Sequence, residues 1–146
     1  MTQNPASDWT RRQGYDDAFR NAGIQLETAL IFEDCDKPDK IEAAVEKLIR
    51  DNVQGIVCMD DVVCSVVLQV LAEKDILVPQ QIQAASFYDS TLLKNSKPAV
   101  TSLVFDDKAL GALTCRVLLR CIQGKEVESK ILLGYELVIR ESTLFQ

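Results

Sequence analysis

The sequence predicts an α/β fold, a mainly parallel sheet flanked by helices. Two observations carry that expectation. Residues 55–89, GIVCMDDVVCSVVLQVLAEKDILVPQQIQAASFYD, read as strand, helix, strand, and a unit of that length implies a right-handed parallel crossover. Around it, segments of helical period alternate with short apolar runs along the whole chain, with no internal repeat and no low-complexity segment.

Taken in order, residues 1–7 read as irregular. A helical pattern starts at Asp8, with Trp9, Tyr15, Ala18 and Phe19 as inward candidates and Gly23 as its stop. Residues 27–32 read as a strand, followed by the acidic loop Glu33-Asp34-Cys35-Asp36-Lys37. Pro38 suits the first turn of a second helix. Its stripe is Ile41, Ala44, Val45, Leu48 and Ile49, with Glu42, Glu46 and Lys47 toward water. The run 55–59 is short and continuously apolar, as in a strand covered on both faces. It stops at Asp60-Asp61, where Asp61 serves as N-cap or first-turn acid of the next helix. Val62, Val63, Val66, Val67, Val70 and Leu71 form the apolar face of that helix, which ends near residues 73–75.

Val78-Pro79 makes a turn before a strand over residues 82–87, and residues 90–99 are a polar loop. A short strand covers residues 100–105. Asp107 caps a helix over 108–122, periodic in Leu110, Leu113, Val117, Leu118 and Cys121 and ended by Gly124. Residues 131–139 form the last strand. The chain reaches its first helix almost at once, whereas a parallel sheet normally opens on a buried strand. That predicts a gap in the sheet, or an edge that invites another chain.

Composition narrows the function. The 146 residues match one soluble globular domain, with 47% hydrophobic and 26% charged residues. The net charge of −6, with acids and bases interspersed, leaves no basic patch for nucleic acid. No apolar run approaches the roughly 20 residues of a membrane span, and the polar N-terminus lacks the features of a signal peptide. Five cysteines without a CxxC pair suggest reduced thiols and a cytoplasmic location. Cys58, Cys64, Cys115 and Cys121 are expected in the core and Cys35 as the most exposed. The chain has no histidine, which removes Ser-His and Cys-His nucleophiles and the commonest zinc ligand. No catalytic residue, cofactor or metal site is expected. In open parallel sheets ligands bind beyond the carboxyl ends of the strands, and Asp60 and Tyr88-Asp89 fall at two such ends.

An ordered set of motifs spans nearly the whole chain. It runs Arg11-x-x-Gly14-Tyr15-x-x-Ala18, Asp60-Asp61, Val78-Pro79 before the strand over 82–87, and Pro98-x-x-Thr101-Ser102. Leu110-Gly111, Leu118-Leu119-x-x-Ile122-x-Gly124 and Leu137-Val138-x-Arg140-Glu141-Ser142-Thr143 complete it. In this the chain resembles the effector-binding region of the lactose-repressor/galactose-repressor (LacI/GalR) family of bacterial transcription regulators. The resemblance implies one lobe of a periplasmic-binding-protein-like core, truncated, without its first strand and most of the other lobe. Residues 1–102 and 131–146 would be the C-terminal lobe, with 103–130 an excursion to the other. It also implies a role in repressors: sensing a small metabolite, such as a sugar or sugar phosphate, and dimerising. DNA would be bound only through a helix-turn-helix missing from this sequence.

By resemblance, the ligand contacts are Arg11, Ser7, Asp60, Tyr88, Asp89 and Phe105. Arg11 offers a fork for paired acceptors. Asp60 stands where the family has Asn and can only accept hydrogen bonds. Tyr88 stands where the family has a gripping Asp, and can stack on a ring and donate one hydrogen bond. Val62, Val63, Val66, Val67 and Val70 would join the dimer interface. For the chain alone, negligible DNA binding, weak or absent effector binding and self-association are expected. Two alternatives stay open. One is a stand-alone solute-binding protein. The other is a receiver-like phosphoryl-transfer domain drafting Asp34 and Lys97, whose spacing is poor.

Overall fold

The computed structural model describes residues 5–144, with side chains from residue 9 onward, as two compact units divided between Val53 and Gln54. The first unit holds helix α1 (Pro5–Ala22), a 3-10 turn at Thr28–Leu30 and helix α2 (Pro38–Arg50). Helix α1 begins before Asp8, with Pro5 in its first turn, where a missing N–H costs nothing. Gly23, at φ +68°, stops it: Gly23 N–H bonds to Arg20 O and Ile24 N–H to Phe19 O, a Schellman closure. Tyr15 and Phe19 pack with ring centroids 4.7 Å apart and are half-buried. Trp9 and Ala18, expected inward, are exposed.

Residues 27–32 do not form the expected strand. A strand exists only by pairing, and the one sheet among the described residues draws all four of its strands from the second unit. The segment closes instead on itself, Leu30 N–H to Glu27 O and Ile31 N–H to Thr28 O. Helix α2 buries Ile41, Ala44, Val45 and Leu48, the 3.6-residue stripe read from the sequence. Lys47, expected in water, is half-buried: it donates to Ala29 O at 2.6 Å and lies over the Phe32 ring.

The second unit is the sheet. Its strands are β1 (Gly55–Cys58), β2 (Gln83–Ser86), β3 (Thr101–Phe105) and β4 (Tyr135–Val138), in spatial order β1-β2-β3-β4. The first three are parallel; β4 runs antiparallel to β3, Leu137 opposite Leu103. Helix α3 (Asp61–Glu73) makes the crossover from β1 to β2 and packs on both. The core gathers under it: Ile56, Cys58, Cys64, Val67, Val70, Leu71, Ile82, Ala84, Leu93 and Val100 are buried. Each large apolar side chain there contributes about 1.5–3 kcal/mol. Only one face of β1 is covered, because Val57 is exposed. The apolar run 55–59 is therefore a half-buried strand rather than the doubly covered one expected.

A short helix α4 (Thr91–Lys94) interrupts the segment expected to be a loop, and buries Leu93. Helix α5 (Asp107–Ile122) follows β3 and, unlike α3, has no buried residue. Of the residues periodic along it, Leu110 and Leu118 are exposed and Leu113 and Val117 half-buried, and Cys115 and Cys121, expected in the core, are exposed. Cys35 is half-buried rather than the most exposed thiol, and burial raises its pKa despite nearby Lys40. Residues 131–134 stay outside the last strand, which begins at Tyr135.

The turn after β4 fastens the sheet from below. Ser142 is fully buried; its Oγ donates to Ala84 O at 2.6 Å and accepts from Thr101 N–H at 2.9 Å. Thr101 Oγ1 accepts from Arg140 N–H and shares a hydrogen bond with Thr143 Oγ1. The Arg-Glu-Ser-Thr motif is therefore a side-chain clamp on β2 and β3.

Candidate functional site

Because β1, β2 and β3 are parallel, their carboxyl ends share one edge. Asp60 follows β1, Tyr88 and Asp89 follow β2, and Phe105 ends β3. A recess of about 190 Å³ opens between the last two strand ends. Tyr88, Asp89, Ser90 and Lys94 line it from the turn after β2 and from α4; Leu103, Val104, Phe105 and Asp107 line it from β3 and the start of α5. Three side chains singled out from the sequence thus meet at one place. Tyr88 is 49% and Phe105 46% exposed, two rings free to take a flat apolar face. The volume lies below the about 300–1,000 Å³ of drug-sized ligand sites, so it suits one small ring compound or one wall of a larger cleft.

Asp89 is held by cations. Its side chain is 6% exposed, with Oδ1 2.6 Å from Arg140 Nη1 and Oδ2 3.0 Å from Lys94 Nζ. The Arg140 contact lies off hydrogen-bond geometry, so Oδ1 is bound by charge. Burial pushes the carboxyl up, but Arg140 and Lys94 outweigh it and hold it below the usual carboxylate range. Arg140 Nη1 also donates to Val100 O at 2.6 Å. Asp89 is therefore an organiser of the turn that presents Tyr88, and its capacity for a ligand is largely taken. Ser90 differs: its buried hydroxyl has no hydrogen-bond partner among the described residues.

Asp60, not Asp61, is the N-cap of α3, with Oδ1 accepting from Val63 N–H at 2.8 Å. Asp61 is the first-turn acid. The same displacement occurs at α5, where Asp106 rather than Asp107 caps, accepting from Ala109 N–H at 2.8 Å. A carboxylate has acceptor sites beyond one cap, so Asp60 stays a candidate contact at the end of β1.

Arg11 lies on α1 in the first unit, half-buried. The neighbouring Arg12 is committed to Asp16 at 2.8 Å and Glu33 at 2.9 Å. Ser7 lies outside the residues whose side chains are described. Of the valines expected at a subunit contact, Val67 and Val70 are buried against their own unit, which removes them from that surface. Val62 is 56% exposed, and Val63 and Val66 are half-buried. Sequence reasoning missed Arg140 and Lys94 as partners of Asp89. The Arg-Glu-Ser-Thr motif was the available signal, but it named no partner 40 or more residues away.

A second, more open hollow of about 510 Å³ lies between α3 and α4, lined by Ser65, Leu68, Gln69, Leu92 and Leu93 among others. None of the strand-end residues borders it.

With this geometry in view, the comparisons with known proteins are specific. Residues 2–143 match the family described as periplasmic binding protein-like domain, and the chain belongs to that family. Its relatives are bacterial transcription regulators. It is 26% identical over 137 residues to the HTH-type transcriptional regulator RegA of Clostridium saccharobutylicum, covering 92% of this chain and 41% of that one. It is 27% identical over 135 residues to the HTH-type transcriptional regulator CelR of Thermobifida fusca, covering 90% and 40%. Among solved structures, the transcription regulator CcpA of Lactococcus lactis superposes with a TM-score of 0.85 at 26% identity, covering 94% of this chain and 51% of that one. A transcriptional regulator CelR–cellobiose complex superposes with a TM-score of 0.80 at 27% identity, covering 90% and 41%. A regulator titled as LacI family, from Bifidobacterium animalis, shares the fold at 0.81. The chain thus spans about two-fifths of the curated relatives' length. No described helix is long and apolar enough to cross a membrane.

Proposed function

We propose that this chain is the effector-sensing part of a cytoplasmic transcriptional repressor, non-catalytic, and that the carboxyl edge of its sheet is one wall of the effector site. The observation that carries the reading is the recess in which Tyr88, Asp89 and Phe105 converge at the ends of β2 and β3. A relative solved with cellobiose makes a sugar-like effector the first class to test. Tyr88 and Phe105 stack on the ring and Asp60 accepts hydrogen bonds from hydroxyls; Arg11 is carried as a further candidate contact on the resemblance alone. Binding there couples to DNA-binding heads as a linkage between two sites, each ligand altering affinity for the other. Residues 103–130 act as the excursion to a second lobe, a role supported by the absence of buried residues from α5.

The test is a calorimetric titration with cellobiose and simple hexoses. Tyr88→Ala and Phe105→Ala should each weaken binding by about 0.5–1.5 kcal/mol, the worth of a ring contact. Arg11→Ala should cost about 1–3 kcal/mol, as for a charged hydrogen-bond partner. Affinity unchanged in both ring variants removes the site from this edge. Self-association belongs to the same reading. Exposed Leu118, Leu119, Ile122, Leu132 and Tyr135 on the α5–β4 leg favour it, and a clean monomer by light scattering at micromolar concentration counts against it.

A further inference from the structure

On the reading that the recess takes the effector, we infer that this edge selects an uncharged, hydroxyl-bearing ring compound and rejects its phosphorylated counterpart. Helix N-termini beyond the carboxyl ends of parallel strands are the ready anion sites of α/β proteins. Here both long helices that start at this edge carry the protein's own carboxylates at those positions. Asp60 accepts from Val63 N–H and Asp106 from Ala109 N–H, both at 2.8 Å, while Asp61 and Asp107 occupy the first turns. One donor at each N-terminus is thus already taken, and the carboxylates offset the positive dipole that would meet a phosphate.

The nearby cations are committed as well. Among the described residues Lys94 is the one cation lining the recess, and it pairs with Asp89 at 3.0 Å; Arg140 holds the other oxygen of Asp89 and Val100 O. A phosphate drawing Lys94 away would strip one of the two partners from a carboxylate only 6% exposed. The remaining charge in the lining is Asp107, negative and exposed; Lys108 on the same turn lies outside the lining. What the recess offers an incoming molecule is two half-exposed rings, Tyr88 and Phe105. Those suit the apolar face of a neutral ring.

The experiment is an amide chemical-shift titration of the 146-residue chain, which tolerates millimolar affinity, with hexoses and cellobiose each run against the corresponding phosphomonoester. The expected result is binding of an uncharged sugar about tenfold tighter than of its phosphomonoester, the effect of one like charge at close range near a protein surface. Asp107→Lys should narrow that ratio several-fold. A phosphomonoester that binds as tightly as the uncharged sugar, with shifts at Tyr88–Phe105 positions, overturns the inference and keeps the site. Binding of neither class, or shifts confined to other surfaces, overturns the site and the inference with it.

Discussion

Single side chains decide how the carboxyl edge is built. Ser142 is the hinge-pin of the clamp: its one hydroxyl serves Ala84 O and Thr101 N–H in a fully buried place. Ser142→Ala leaves buried polar groups unmade and should cost about 1–3 kcal/mol in urea denaturation. Arg140 acts one residue pair further out. Its removal in Arg140→Met should destabilise by about 1.5–3 kcal/mol at neutral pH, because Asp89 keeps only Lys94. The sign of the pH dependence follows from the lowered pKa of Asp89. A carboxyl with a depressed folded value stabilises fully above its unfolded value of about 3.9 and loses that contribution as pH falls through the folded value. The gap between the native chain and Arg140→Met should therefore narrow below about pH 4; a gap that widens there contradicts the pairing. Tyr88, Asp89 and Phe105 were legible as strand-end residues because parallel topology forces such residues to one edge. Which acid caps was not. Two consecutive aspartates stand at each helix start, and only backbone geometry tells the cap from the first-turn acid.

At the scale of elements, α3 and α5 have matching sequence signals and opposite environments. Both are amphipathic and open on an Asp-Asp pair. Helix α3 buries Cys64, Val67, Val70 and Leu71, whereas α5 buries nothing. Isolated helices of this length are marginal in water, so α5 should open locally and α3 only with the sheet. Hydrogen exchange checks this: α5 amides should exchange well ahead of α3 amides. Cap removal sharpens the contrast. Asp60→Ala should lower global stability by about 1 kcal/mol, while Asp106→Ala should speed exchange in α5 with little change in the urea midpoint. Equal protection of the two helices contradicts this account. The spans of α2, α3 and α5 and the parallel crossover were legible from periodicity and turn residues to within a residue or two, whereas α1 starts three residues before Asp8 and α4 lies in a segment read as loop. The strand read at 27–32 was not, because strand pairing is non-local and the described sheet gives that segment no partner. Nor could periodicity say whether the leucine stripe of α5 is covered.

For the molecule as a whole, the chain belongs to the periplasmic binding protein-like family and spans about two-fifths of the length of its curated relatives. Reading the genomic DNA immediately upstream of Met1 tests the proposed role directly. A continuous frame encoding a helix-turn-helix and another α/β lobe supports the repressor role, and a stop codon with its own promoter and ribosome site before Met1 contradicts it. We propose more narrowly that a small molecule binds at the carboxyl edge of β1–β3. The most direct test is to map amide shifts of this chain on titration with cellobiose and simple hexoses. The account predicts perturbations gathered at Asp60, Tyr88–Ser90 and Phe105–Asp107. Perturbations gathered instead in the α3–α4 hollow around Leu68 and Leu92, or none for any sugar at millimolar concentration, would contradict it.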